Sequence, residues 1–240
     1  MNVYTLMLLF SNILLNGIVL VSNMSNAKTH YFRDPAMTTQ TDSAPTKRKQ
    51  IRSADAQARI LEAVDELFYQ EGSRTVSVDE VVLHAGVNKM SLYRQFESKD
   101  ALLMYYLQGR EKTFWGYFET SIAKHPGQPV RQMQQFFDDL AVRICRPGYR
   151  GCAFVNMAVE YPDRSAPPRQ FVAHNKSEVY ARFLALATAA GARQPEVLAS
   201  GLALLTEGAY AASQTYEPGH PSLAHLPATA ATLIAAAGCQ

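Results

Sequence analysis

The chain has 240 residues, 48% hydrophobic and 18% charged, with 23 Lys and Arg against 21 Asp and Glu and a formal net charge of +2. That length holds a small domain plus a larger one, each with its own core. A charge this close to balance excludes a bulk-basic nucleic-acid binder, so any DNA contact must rest on local charge placement; three cysteines with no CxxC pair and no His at ligand spacing exclude a zinc framework.

Residues 1–36 stand apart from the rest. Val3 to Val21 is nearly all apolar and uncharged, long enough in principle to span a bilayer. A signal peptide needs a basic start, and nothing charged precedes Lys28. Asn12, Asn16 and Gly17 dilute a membrane span. The preferred reading is a non-native extension, with translation beginning at Met37, whose MTTQTDSAPTKRKQ is polar. A membrane or signal segment is the alternative. Residues 37–52 read as a disordered basic arm, rich in Thr, Ser, Pro and Lys. Lys47, Arg48, Lys49 and Arg52 cluster there, either as a solvated tail or as an arm that neutralises phosphates or reaches a minor groove. Arg48 is the candidate contact.

Ser53 to Glu71 reads as the first helix. Ala56, Ile60, Ala63, Val64, Leu67 and Phe68 recur at three- and four-residue steps, and Gly72 ends it. Ser77 and Glu80 form a capping box for a second helix whose apolar face is Val78, Val81, Val82 and Ala85. Gly86 turns the chain, and Asn88 caps a third helix from Lys89 to about Gln95. Leu92 and Phe96 share one face of it, leaving Lys89, Met90, Ser91, Tyr93 and Arg94 turned outward. No acid lies between Glu80 and Glu97. Two short helices, a Gly-centred turn and a basic, hydrogen-bonding outer face describe a helix-turn-helix. Ser98 caps the next helix, with Lys99 in its first turn, where free amides favour a phosphate; Ser77 can do the same one helix earlier.

This stretch resembles the DNA-binding domain of tetracycline-repressor (TetR/AcrR) type transcriptional regulators. The resemblance rests on Ala85, Gly86 and Val87, then Leu92, Tyr93 and Phe96, then Lys99. Val81-Val82, Met90 and Gln95 depart from the usual Ile-Ala, small residue or Pro, and His. The resemblance implies a phosphate contact for Tyr93. By their own chemistry, Lys89, Ser91 and Arg94 suit base edges or phosphates, and Met90 suits a thymine methyl.

Beyond the motif, a long helix runs from Lys99 to about Lys124 with Leu102, Leu103, Tyr106, Trp115, Phe118 and Ile122, and His125-Pro126-Gly127 stops it. Further helices are expected at 129–144, from Cys152 to Glu160, and at 167–190, 195–214 and 226–237. No strand-period segment occurs. The fold class is therefore all-α: a three-helix domain at 53–98, DNA-binding by its motif, and a helical domain at 99–240, which the resemblance implies is the ligand-binding and dimerisation domain. Residues 148–163 and 201–212 also resemble one subgroup of the same family, with an Arg-Gly-Cys turn before a short helix ending in Glu. The last two helices are rich in Ala and Gly, which suits close packing within the chain; the family implies a homodimer through them.

Trp115, Phe118, Phe137, Phe154, Met157, Tyr161 and His174 are candidates to line a ligand pocket, though aromatics at helical spacing also make ordinary core. Glu160 ends an apolar helix, either as a partnered structural acid or as a ligand-orienting group. The cysteines fit buried thiols of a reducing cytosol, with redox sensing by Cys145 or Cys152 as the alternative. No GxSxG, GxGxxG, Walker loop or HExxH occurs, so an all-helical enzyme is the weaker reading. No catalytic residue, metal or cofactor is expected. The resulting expectation is a cytoplasmic, non-enzymatic repressor. It binds a near-palindromic DNA operator as a dimer and is released by a small-molecule effector; a membrane-tethered regulator using residues 3–21 is the alternative. Mass spectrometry of the native protein is expected to show Met37 at the N-terminus, and a peptide covering Val3–Val21 would overturn that start site.

Overall fold

The computed structural model describes residues 52–239. The non-native extension at 1–36, the span Val3–Val21, the start at Met37, and Lys47, Arg48 and Lys49 of the basic arm lie outside the described residues. Within them the chain forms helices and turns only.

Helix α1 covers Ser53–Glu71, and its buried stripe is the expected Ala56, Ile60, Ala63, Val64, Leu67 and Phe68. Gly72 ends it at φ 92°, and a Cβ there would stand 3.0 Å from Glu160 Oε1. Backbone conformation and close packing both demand glycine at this position. Helix α2, Val78–His84, starts in the predicted capping box: Ser77 Oγ accepts from Glu80 N–H at 3.2 Å, and Glu80 Oε2 accepts from Ser77 N–H at 2.6 Å. Helix α3, Lys89–Tyr93, is capped by Asn88 Oδ1 accepting from Ser91 N–H at 2.8 Å. It stops two residues before the predicted Gln95. The Gln95 and Phe96 amides both bond the Leu92 carbonyl at 2.9 Å, which tightens the last turn out of α geometry.

Helix α4, Lys99–Ile122, is capped by Ser98 Oγ accepting from Ala101 N–H at 3.1 Å. Four further helices follow: α5 Pro129–Ile144, α6 Ala153–Glu160, α7 Pro167–Ala189 and α8 Pro195–Ala212. Each boundary lies within two residues of its expectation; Cys152 is the extended cap of α6 rather than its first turn. The sequence reading missed α9, Pro221–Ala224, because four residues leave no room for a period. Helix α10 covers Leu226–Ala236.

Helices α1, α2 and α3 pack together, and α1 rests on the first half of α4. The second half of α4 packs on α5 and α7, α7 pairs most extensively with α8, and α10 lies against α5 and α8. The centre is aromatic. Phe118, Phe136, Phe137 and Phe183 are all fully buried, with Phe118–Phe136 centroids 5.1 Å apart and Phe136–Phe183 5.4 Å. Edge-to-face and tilted rings at such separations add to the burial term.

One polar cluster pins α4 to α5. Asp139 accepts from Ser121 Oγ at 2.7 Å, from Lys124 Nζ at 2.7 Å and from Gln135 Nε2 at 3.0 Å. Burial alone raises the Asp139 pKa, but the hydrogen bonds from Lys124, Ser121 and Gln135 outweigh it and hold the carboxyl below its ordinary value. A depressed folded-state pKa contributes stability above the unfolded value, lost as pH falls through the folded one. Asp139→Asn is therefore expected to lower the urea midpoint at neutral pH and to flatten its fall on the acid side. A profile parallel to that of the unsubstituted protein would contradict this role.

Candidate nucleic-acid interface and the helical core behind it

The interface is built on two anchors. Leu92 and Phe96 are 0% and 2% exposed, so α3 is fastened through one face. The opposite face carries Lys89, Met90, Tyr93 and Arg94 into solvent, with Ser91 half-buried beside them. Met90 is 68% exposed, a large apolar side chain turned to solvent. Arg94 folds back along its own helix, its Nε 3.4 Å from the Met90 carbonyl and its Nη2 3.5 Å from Ser91 Oγ.

Two contacts change the sequence picture of this surface. Lys89 Nζ lies 2.8 Å from Asp79 Oδ1, and the hydrogen bond and charge of Asp79 raise its pKa. The acid-free run from Val81 to Phe96 therefore does not leave Lys89 free, because α2 brings Asp79 to it. Gln95 points away from the outer face, its Nε2 donating to the Ser53 carbonyl at 2.8 Å and tying α3 to the start of α1. At the edge of the surface, Ser77, Asn88 and Ser98 all act as caps. Lys99 is half-buried, its Nζ 3.4 Å from the Arg74 carbonyl.

The candidates in the helical core separate into three places. Trp115, Phe118 and Phe137 belong to the aromatic centre, with Trp115 and Phe118 centroids 5.6 Å apart. Phe154 and Met157 are buried on α6, and Phe154 stacks on Phe171 at 6.4 Å. Glu160 and Tyr161 lie at the junction with α1. There Glu160 Oε2 accepts from Ser73 Oγ at 2.7 Å and from the Arg74 amide at 3.1 Å, and the Arg74 guanidinium sits 5.8 Å from the centre of the Tyr161 ring. Of the two roles open to Glu160 in the sequence, the partnered acid is the geometry found. His174 is on the solvent side of α7, apart from all three groups.

Sequence reasoning missed the rest of that junction and a charged layer behind it. Tyr69 Oη donates to the Gly151 carbonyl at 3.0 Å and accepts from the Arg150 amide at 2.9 Å, while Arg150 Nη1 donates to the Tyr69 carbonyl at 2.7 Å. Behind it, Lys176 Nζ pairs with Glu207 Oε1 at 2.6 Å and donates to Cys152 Sγ at 3.6 Å. Burial opposes the charge on Lys176, but Cys152 and Glu207 outweigh it and raise its pKa. Arg143 is 8% exposed on α5. A signal for it existed: Arg143 follows Leu140 by three residues and Phe136 by seven, on the helix's apolar stripe.

Among the described residues no group of His, Cys, Asp or Glu is placed to hold a metal ion, and no helix is long and apolar enough to cross a membrane. Glu160→Ala is expected to cost about 1–2 kcal/mol in urea unfolding, since it strands the Ser73 hydroxyl and the Arg74 amide. A change within error would mean the junction adds nothing to stability.

With this geometry in hand, comparison with known proteins is direct. The family model for bacterial regulatory proteins of the tetR family matches residues 60–105, which run from mid-α1 into α4. A TetR-family transcriptional regulator from Streptomyces coelicolor, SCO4454, superposes with a TM-score of 0.73 at 26% identity, over 77% of this chain and 96% of that one. A tetR-type regulator from Streptomyces avermitilis, sav143, gives a TM-score of 0.67 at 29% identity over 77% and 99%. A TetR regulator from Chloroflexus aurantiacus, at 22% identity, shares the fold with a TM-score of 0.67 over 76% and 96%. No curated protein matches the sequence. The helix-turn-helix with its capped third helix, the family model over residues 60–105 and these structural relatives support a DNA-binding transcriptional regulator of the TetR family.

Proposed function

We propose that the protein is a ligand-responsive repressor that binds a near-palindromic operator as a homodimer and leaves it when a small molecule enters the helical core. Residues 53–98 then form the DNA-reading domain and 99–240 the regulatory and dimerising one. The observation that carries this reading is the outer face of α3, where Lys89, Met90, Ser91, Tyr93 and Arg94 stand over the anchored Leu92 and Phe96. Arg and Lys suit guanine edges and phosphates, and Met90 suits a thymine methyl. Arg94 must unfold from α3, and Lys89 must exchange Asp79 for DNA. Tyr93 contacts phosphate from the end of α3, and Ser77, Asn88, Ser98 and Lys99 do so from helix starts.

A single short recognition helix makes few contacts, and two copies about one helical turn of DNA apart supply the rest. The C-terminal helices suit that pairing. Val197 and Leu204, 64% and 72% exposed, share one face of α8 with Ser200, Gly208 and Ala211. A groove of about 440 Å³ between α8 and α10, lined by Val197, Leu198, Gly201 and Leu233, offers room for a partner's side chains.

The test is fluorescence anisotropy with DNA from upstream of the gene, across a salt series. Sequence-dependent binding that weakens with salt is expected; its absence removes the reading. Tyr93→Phe and Lys99→Ala are expected to weaken binding to all sequences, and Lys89→Ala or Arg94→Ala to change base preference by about 1–3 kcal/mol. Identical behaviour of the two classes would reassign these residues.

A further inference from the structure

We propose that Arg143 anchors an anionic effector, a small carboxylate held under the Arg146–Gly151 loop. This rests on the reading above of the helical core as a ligand-responsive domain, and names the chemistry that domain takes.

The first ground is an uncompensated charge. Arg143 is 8% exposed, and its Nη2 is sealed from solvent without a hydrogen-bond partner. Among the described residues no carboxylate pairs with it, and Glu207 is taken by Lys176 at 2.6 Å. A guanidinium does not deprotonate in a protein, so burial cannot silence it as it would a lysine. What touches it is aromatic. Its central carbon lies 4.7 Å from the Tyr117 ring centre, the Tyr210 hydroxyl hydrogen-bonds to the guanidinium, and the Arg143 charge acts to lower the pKa of both Tyr149 and Tyr210. Burial more than offsets that effect, and both tyrosines stay protonated hydrogen-bond donors.

The layer thus holds two cations, Arg143 and Lys176, one acid and two tyrosine hydroxyls. It has a net positive charge, and the Arg143 Nη2 has no acceptor. A carboxylate supplies what is missing: two acceptor oxygens and one negative charge, matched to the guanidinium fork. A neutral amide of the same shape supplies one acceptor and no charge.

The second ground is the cover. Tyr149, whose hydroxyl feels the Arg143 charge, sits between Gly148 at φ 74° and Gly151 at φ 78°, so its segment is bounded by two left-handed glycines. In this proposal a ligand that takes the Arg143 guanidinium also shifts Tyr149. The next residue, Arg150, holds Tyr69 of α1 through its amide at 2.9 Å and its guanidinium at 2.7 Å. Filling the site therefore loosens the contact between the loop and the DNA-reading helices. A ligand shifts an equilibrium only through such a difference in interaction between two states.

The experiment is isothermal titration of the full chain with matched probes, benzoate against benzamide and propionate against propionamide, with melting curves for Arg143→Met and Arg143→Lys. At least one carboxylate is expected to bind about tenfold or more tightly than its amide, the difference one charge-assisted hydrogen bond makes. Arg143→Met is expected to abolish that preference and the carboxylate-dependent rise in melting temperature, while melting no lower than the parent without ligand. Arg143→Lys keeps the charge without the fork and is expected to retain the preference with weaker binding. Equal binding of acid and amide, no binding of any probe, a preference surviving in Arg143→Met, or an unliganded Arg143→Met that melts well below the parent would each overturn the proposal. Carboxylate binding that leaves operator affinity unchanged would overturn the ligand-responsive reading and leave the site standing. Operator release by the amides alone would do the reverse.

Discussion

Helix α4 belongs to two cores at once, and that constraint organises the molecule. Leu102, Leu103, Tyr106 and Leu107 are buried at its start and Phe114 and Phe118 in its second half. Its first half packs on α1 and its second on α5 and α7. At 24 residues it is roughly 36 Å of continuous hydrogen-bonded rod. A rod buried at both ends cannot move at one end alone. Repacking around Phe118, Phe136 and Phe183 must either be absorbed there or appear as a tilt beneath α1, α2 and α3.

The junction at α6 supplies a second connection, of different character. Glu160 binds the Ser73 hydroxyl and the Arg74 amide just after α1, and Lys99 at the start of α4 reaches the Arg74 carbonyl. Tyr69 and Arg150 add another contact on the same side. These are polar contacts, each modest in water and sensitive to geometry. A hydrophobic core resists small displacements, whereas a carboxylate bridging a hydroxyl and an amide is lost over a fraction of an ångström. The rod and the polar junction together give the DNA-reading helices one firm support and one breakable one.

The recognition surface shows the same division. Its anchored side, Leu92 and Phe96, is apolar and fully buried. Its outer side is held in place by weak exposed contacts: Lys89 with Asp79, and Arg94 with its own helix. An exposed ion pair such as Lys89–Asp79 contributes little to stability, and the exposed hydrogen bonds of Arg94 are long, so either side chain can leave its partner at little cost.

The local elements were legible in the sequence because their signals are local. Ser77 with Glu80, Asn88 and Ser98 announce helix starts through side chains that reach only three residues along the chain. The periods of α1 and α5 are visible for the same reason, as are the family motifs around Gly86 and Tyr93. Four-residue α9 and the tightened end of α3 were not, since neither contains a full period.

What the sequence by itself determined is the helical architecture, the helix-turn-helix and the sides of α1, α2 and α3 that turn inward. What only the tertiary structure decided is which polar groups meet: Asp79 with Lys89, Glu160 with Ser73 and Arg74, Lys176 with Glu207, and Arg143 with no acid at all. Hydrophobic burial is non-directional and follows from pattern. A hydrogen bond or ion pair depends on distance and angle between residues that the chain brings together only on folding.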